Sequence, residues 1–172
     1  MGIAYSTQYL GRITARAGRP GGRELLADAL EQWRTIGSAA LEIETETKLA
    51  EAMLFDGDYA AALELLRPAL ERERHVAVVP WLRALLRRLM GSALGQAGDR
   101  EAGLDAVREA IRIARDSHSQ FELAMGLETL ARLDGTDAAS APAQQEADEL
   151  FARLGVISIA AVPLPALADV RP

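Results

Sequence analysis

Leu49-Ala50-Glu51-Ala52-Met53-Leu54-Phe55-Asp56-Gly57-Asp58-Tyr59-Ala60-Ala61-Ala62-Leu63-Glu64-Leu65-Leu66-Arg67-Pro68-Ala69-Leu70 is the stretch that decides the fold. Leu49, Met53 and Leu54 recur at helical spacing. Gly57 follows as a residue that can take the left-handed conformation ending a helix, and Asp58 stands where the N-cap of a second helix belongs. Leu63, Leu66 and Leu70 then continue an apolar stripe at spacings of three and four. The stretch reads as helix, tight turn, helix. Pro68 falls inside the second helix and is expected to kink it locally.

Outward from this stretch the pattern recurs. Leu10-Gly11 leads through Ala17-Gly18-Arg19 to Ala29-Leu30, and Met90-Gly91 leads through Ala97-Gly98-Asp99 to Ala110-Ile111. The turn glycines Gly18, Gly57 and Gly98 are 39 and 41 residues apart, and a weaker fourth copy turns at Gly135, 37 residues further on. Leu82, Leu85, Leu86, Leu89, Met90 and Leu94 form the apolar face of the third copy, with Leu104, Val107, Ile111 and Ala114 beyond its turn. Pro80 sits where that copy's first helix should begin, at the position that tolerates proline. Helices are predicted over 3–17, 22–36, 39–56, 59–74, 80–97, 100–117, 119–133 and 142–154. No stretch reads as a strand. The fold class is therefore all-α, with one helical-repeat domain over 1–155. Its repeats span about 3–36, 39–74 and 80–117, with a degenerate copy over 119–154.

Composition agrees. Nearly half of the 172 residues are apolar, but only 5% are aromatic. Ala and Leu carry the bulk, which suits closely packed helices. The chain has no Cys, which excludes disulfides and thiolate metal sites. A net charge of −6 argues against nucleic acid as a partner. No stretch reaches 18 apolar residues, so no membrane-spanning helix is expected. The N-terminal residues lack the continuous apolar run of a signal peptide, so the expected compartment is the cytoplasm.

These residues resemble the tetratricopeptide repeat. Its pattern places a small residue midway along the first helix, Gly at the turn, then Ala, a large apolar residue and Ala along the second helix. The second copy matches with Ala50, Met53, Gly57, Ala62, Leu66 and Ala69, and the third with Gly91, Leu94, Gly98, Gly103, Val107 and Ala110. The first is looser: Gly11 and Gly18, then Gly22, Leu26 and Ala29 after one residue is removed from the turn. The family's first-helix aromatic is replaced by Glu46 and Arg87. The resemblance covers roughly residues 5–135 and implies antiparallel helix pairs stacked as a right-handed superhelix. A second resemblance lies in Phe121-Glu122-Leu123-Ala124 through Leu130-Ala131-Arg132-Leu133, and in Ala147-Asp148-Glu149-Leu150-Phe151-Ala152-Arg153-Leu154-Gly155-Val156. It is similar to the C-terminal repeat region of multidomain bacterial regulators, which join a class III adenylate/guanylate cyclase domain or a DNA-binding domain to an ATPase and then to such repeats. None of the cyclase, Walker or helix-turn-helix motifs lies in this chain.

In that family the first helices line the concave side. By position, the resemblance implies a groove of Tyr5, Gln8, Tyr9 and Arg12 from the first copy, Glu44, Thr47 and Glu51 from the second, and Arg88, Ser92 and Gln96 from the third. The Lys/Asn set with which some relatives clamp a peptide's C-terminal carboxylate is missing, which argues against chaperone tails as ligands. Charge along the helices has two readings. Glu42, Glu44, Glu46 and Glu51 make one first helix acidic, and Arg83, Arg87 and Arg88 make the next one basic. They form either a solvated face with ion pairs between repeats or a charged ligand groove.

The remaining chemistry-bearing residues read as structural. Gly18-Arg19-Pro20-Gly21-Gly22 lacks the Gly-Lys-Ser/Thr ending of a phosphate loop and reads as a turn. His75 and His118 stand alone near helix ends, where the helix dipole favours them. Trp33 and Trp81 are expected to fill junctions between helices, with an exposed binding role as the alternative. No metal, cofactor or catalytic residue is expected.

The expected function is a non-catalytic interaction or regulatory module whose partner is a protein, a peptide or other domains of a larger parent. A small-ligand sensor or enzyme with a site inside the superhelix is the alternative. The Pro-containing tail, 156–172, is too apolar for a solvated linker. It is expected either to fold back and bury Ile157, Ile159 or Leu164, or to form a homodimer.

Ala62, Ala69, Gly91 and Ala110 are expected at close helix crossings, where two helices approach only if bulk is missing. Ala69→Leu is then expected to cost about 1–3 kcal/mol through overpacking. An unchanged thermal midpoint would instead place residue 69 at the surface.

Overall fold

The computed structural model describes residues 2–135 and 140–164, and over these the chain is all-α. The helices are α1 (Gly2–Arg16), α2 (Gly22–Ile36), α3 (Ala39–Phe55), α4 (Tyr59–Glu73), α5 (Pro80–Gln96), α6 (Arg100–Asp116), α7 (Gln120–Asp134) and α8 (Ala141–Arg153). Each predicted boundary lies within one residue of the observed one. Among the described residues there is no strand, and no helix is long and apolar enough to cross a membrane. Pro68 lies inside α4, which continues through it to Glu73. Proline deprives only one carbonyl of its partner, and the turns on either side remain helical.

Two turns carry the repeat signature. Gly57 and Gly98 adopt φ of 77° and 88°, a region that side chains disfavour. The carboxylates of Asp58 and Asp99 accept from the backbone N–H of Ala61 (3.4 Å) and Ala102 (3.2 Å), so each caps the helix that follows. After α6 the left-handed residue is His118, with φ 57°. Its N–H donates to the Arg115 carbonyl, and the Ser119 N–H donates to that of Ala114. His118 therefore does the work that glycine does elsewhere.

Contacts divide the chain into two compact units. One comprises the chain up to Val78 with Ala160–Val162; the other comprises Val79–Ile159 with the described residues from Pro163. In the first unit α1 packs on α2 and α3, α2 on α3, and α3 on α4. In the second, α5 packs on α6 and α7, α6 on α7, and α7 on α8. Each unit thus has two helix pairs joined in the same way: first helix against first helix, and second helix against the next first helix.

Bare backbone lets the pairs close. A Cβ added at Gly91 of α5 would lie 2.6 Å from the Gly103 carbonyl oxygen of α6 and 2.5 Å from Val107 Cγ2. A Cβ on Gly11 of α1 would meet Leu26 of α2 at 2.9 Å, and one on Gly22 of α2 would meet the Ala15 backbone N at 2.6 Å. Gly11 meets Leu26 while Ala15 meets Gly22, and Gly91 meets Val107 while a Cβ on Gly103 would lie 3.2 Å from the Gly95 backbone N, so in both pairs the helices are antiparallel. Ala62, Ala69 and Ala110 are fully buried, as expected for crossing points.

Leu26 and Leu30 of α2 cluster with Leu49 and Ala52 of α3. Leu104, Val107 and Ile111 of α6 cluster with Ala124 and Leu127 of α7 and with Ala147 and Leu150 of α8, and Leu164 packs against this core. In the tail, Val162 is buried and Ile159 partly so, whereas Ile157 is 100% exposed; of the three residues offered for burial, Ile159 and Leu164 are the sheltered ones. The helix stops at Gly155 (φ 69°), and beyond it Val156 and Ile159 hold the sheltered positions while Ile157 and Ser158 point outward. Residues 165–172, including Leu167, lie outside the described residues, as does the loop 136–139 of the fourth copy.

Gly91→Ala is expected to lower stability by about 1–3 kcal/mol, because the Gly103 carbonyl stands in the way of the new methyl beside the Val107 side chain, and backbone cannot swing aside. Urea unfolding measures this. Stabilisation by the ordinary Gly-to-Ala helix gain of about 0.5–1 kcal/mol would mean that α5 and α6 separate at no cost.

Candidate functional site

Copy number two starts with α3, and from Ile43 to Ala52 every residue of this helix is buried, polar ones included. Glu44, Thr45, Glu46, Thr47, Lys48 and Glu51 are therefore not a solvated face. A buried charge is costly unless paired and hydrogen-bonded. The first unit supplies those partners from α1, α2 and α4.

Gln8 of α1 is at the centre of the arrangement and is completely buried. Its Nε2 donates to Glu44 Oε1 at 2.9 Å. Its Oε1 accepts from Trp33 Nε1 of α2 at 2.8 Å and from the Thr45 hydroxyl of α3 at 2.7 Å. Thr45 shares that proton with the Leu41 carbonyl, also 2.7 Å away. One amide thus ties three helices together. Lys48, the only lysine in the chain, donates to the same Glu44 oxygen at 2.5 Å and stands 4.4 Å above the Tyr9 ring. Burial pulls the Lys48 ammonium below the usual lysine range, and its hydrogen bond to Glu44 opposes this. Arg12 Nε donates to Glu51 Oε2 at 2.8 Å. Tyr5 meets Trp33 edge-on with ring centroids 4.8 Å apart. On the other side of α3, Glu46 receives Arg72 of α4 in a close ion pair, with Arg34 of α2 at 3.6 Å. Burial pushes the Glu46 carboxyl above the usual carboxylate range, and Arg72 opposes it.

Within the second unit, Arg88 of α5 lies 3.5 Å from Glu122 of α7, both buried. This contact occupies the same place in the repeat as Gln8–Glu44. Gln8 and Arg88 each stand ten residues before their turn glycine (18 − 8 and 98 − 88). Glu44 and Glu122 each stand thirteen before theirs (57 − 44 and 135 − 122). A polar residue of one first helix reaches the acid of the next first helix in both units.

Of the ten groove positions read from sequence, Tyr5, Gln8, Tyr9, Arg12, Glu44 and Glu51 come together in the first unit. Thr47 is buried and turned back onto the Ile43 carbonyl at 2.7 Å. Arg88, Ser92 and Gln96 belong to the second unit. There the Ser92 hydroxyl donates to the Arg88 carbonyl at 3.2 Å, and Gln96 Nε2 donates to the Pro163 carbonyl. Gln8, Glu44, Thr47, Glu51, Arg88 and Ser92 are all buried, Arg12 and Gln96 are partly buried, and Tyr5 and Tyr9 are exposed. These positions therefore hold internal polar contacts flanked by two exposed aromatic rings. Sequence reading by groove position missed Thr45, Lys48 and Glu122. Counting back from the turn glycine would have found Glu122; the single lysine was the signal for Lys48.

Open depressions lie elsewhere, two of them beside arginines. One, of about 390 Å³, is lined by the Gly18–Gly22 turn and by Arg23, which pairs with Asp56 and Asp58. The other, of about 500 Å³, is lined by Arg108, Arg112 and Arg115, each already engaged by an acid: Asp105, Glu109 with Asp116, and Glu146. Among the described residues no three His, Asp or Glu side chains gather as metal ligands. Comparison of the chain with protein-family models, with curated proteins and with solved structures returns no match.

Gln8→Leu is expected to leave the Trp33 N–H and the Glu44 carboxylate short of a buried partner, at about 1–3 kcal/mol for each unsatisfied group. The urea midpoint should fall clearly. A midpoint within error of wild type would mean that water replaces the amide.

Proposed function

We propose that the chain is a non-catalytic helical-repeat module of the tetratricopeptide type that holds or regulates a protein or peptide partner, or other domains of a larger parent. In this reading its helix pairs stack as a right-handed superhelix. The observation that carries the reading is the recurrence of one inter-repeat contact, Gln8–Glu44 and Arg88–Glu122, at equivalent positions of the two units. Repeats that join by the same contact form quasi-one-dimensional arrays, and such arrays present extended surfaces suited to partners. Buried polar contacts between consecutive first helices favour one register between neighbours over others, the best-attested use of such groups. The exposed rings of Tyr5 and Tyr9 supply what a binding surface needs, since aromatic residues dominate interface energetics. The resemblance of the C-terminal segment adds a setting among bacterial signalling regulators of the cyclase-like or ATPase type.

The test is affinity capture with the full chain as bait, followed by titration of whichever protein is retained. Tyr9→Ala is expected to weaken that complex by about 30-fold, equivalent to a contact of about 2 kcal/mol. It should lose only about 0.5–1 kcal/mol of fold stability through the Lys48–ring contact. A small molecule retained stoichiometrically in native mass spectrometry of the purified chain would overturn this reading in favour of a ligand sensor.

A further inference from the structure

Beyond α8, residues 156–164 form neither helix nor strand, and Pro163 and Leu164 belong to the second unit. The Gln96 side chain of α5 donates through Nε2 to the Pro163 carbonyl. Leu164 packs against the α6–α8 core. It enters where α5 has no side chain. Leu133 of α7 reaches across the bare backbone of Gly95, and a Leu164 methyl comes 3.8 Å from where a Cβ of residue 95 would stand. The Leu133 end of α7 is held in turn by Arg100 of α6, whose Nε donates to the Leu133 carbonyl at 2.8 Å. Three helices of one unit thus build a place for one aliphatic side chain and one backbone carbonyl.

This contact has the form in which a groove takes a peptide. Gln96 engages main chain, which any extended segment presents. Val162 is buried, Pro163 exposed and Leu164 half-buried, the alternation of an extended chain lying on a surface. Val162 and Leu164 each precede a proline, which biases both toward extended backbone and lowers the cost of ordering them. The repeat pattern does not itself call for a gap at residue 95. Three residues before their turn glycines, α1 has Ala15, α3 has Leu54 and α7 has Arg132; of the four first helices only α5 has glycine there.

We infer that the tail is an internal ligand: Pro163-Leu164 occupies the Gly95–Gln96–Leu133 notch in cis and closes it to extended, proline-containing peptides of the same kind. The inference rests on the interaction-module reading only for the class of ligand, a peptide, and it lies in the second unit, apart from Tyr5 and Tyr9. An attached segment acts at an effective concentration of about 1 mM, so closing the notch tenfold needs a contact with a dissociation constant of about 0.1 mM. One half-buried leucine and one hydrogen bond to main chain suit a contact of that strength, which a free peptide can displace.

The probe is a fluorescein-labelled peptide of residues 159–166, titrated with the full chain and followed by anisotropy. Leu164→Asp in the full chain should empty the notch and tighten peptide binding at least tenfold over wild type. Adding Gln96→Glu, which removes the donor to the Pro163 carbonyl, should then weaken binding at least fivefold. A peptide carrying Leu164→Asp should bind neither chain. Ile157→Glu, at a fully exposed tail residue, should leave the wild-type affinity unchanged. Leu164→Ala adds no charge and should give the same ordering with a smaller gap; it decides the matter if circular dichroism finds the Leu164→Asp chain unfolded. Absence of saturable binding to the folded Leu164 variants at millimolar peptide overturns the inference and leaves the tail as a cap. Equal affinity of wild type and variants overturns it as well, because the tail would then close nothing. Failure here with capture in the Tyr9 experiment intact sinks the internal ligand and leaves the interaction-module reading standing. Loss of both sinks that reading as well.

Discussion

Gln8 makes a junction that no apolar side chain could make. Its amide is buried with both ends engaged, donating to Glu44 of α3 and accepting from Trp33 of α2 and Thr45 of α3. Hydrophobic contact alone is non-directional and would let α3 slide or rotate in its groove. A fully satisfied buried network allows no such freedom, because each displaced donor or acceptor loses its partner where water cannot replace it. With α3 held in register, Leu49 and Ala52 meet α2 and Glu46 meets Arg72 of α4. Arg88–Glu122 repeats the constraint with charge in place of an amide.

The polar contacts are possible because the helices approach closely, and the close approach depends on missing side chains. Gly91 against Gly103, and Gly11 with Gly22 against Leu26 and Ala15, leave no room for a methyl group. Helices packed this near bring even the flanks of a first helix under cover. That accounts for an α3 buried around its circumference although it carries four glutamates and a lysine. Of the glutamates on this helix, Glu42, Glu46 and Glu51 are ionic partners for arginines on the neighbouring helices, and Glu44 is held by Gln8 and Lys48.

The same repeat geometry explains the contrast between α1 and its counterparts. A first helix has one face for its own second helix and another for the second helix of the preceding copy. In α3 and α7 both faces are filled; in α1 Leu10 and Ile13 remain open. The tail makes a smaller contribution of the same kind, with Leu164 set against the α6–α8 core.

The order and limits of the helices were legible in the residues themselves. Gly57-Asp58 and Gly98-Asp99 stop one helix and cap the next by interactions that reach no more than a few residues, so no distant part of the chain is needed to interpret them. The small residues at the crossings were legible for the same reason: Ala62, Ala69, Gly91 and Ala110 recur at fixed distances from those turns. The side chains of the candidate site were not. Whether Glu44 faces water or Gln8 depends on a helix 36 positions away in the chain, and helical periodicity fixes only which residues share a face. Tertiary packing decided that Gln8, Glu44 and Glu51 turn inward while Tyr5 and Tyr9 stay at the surface, because burial is a property of what covers a face and not of the face itself.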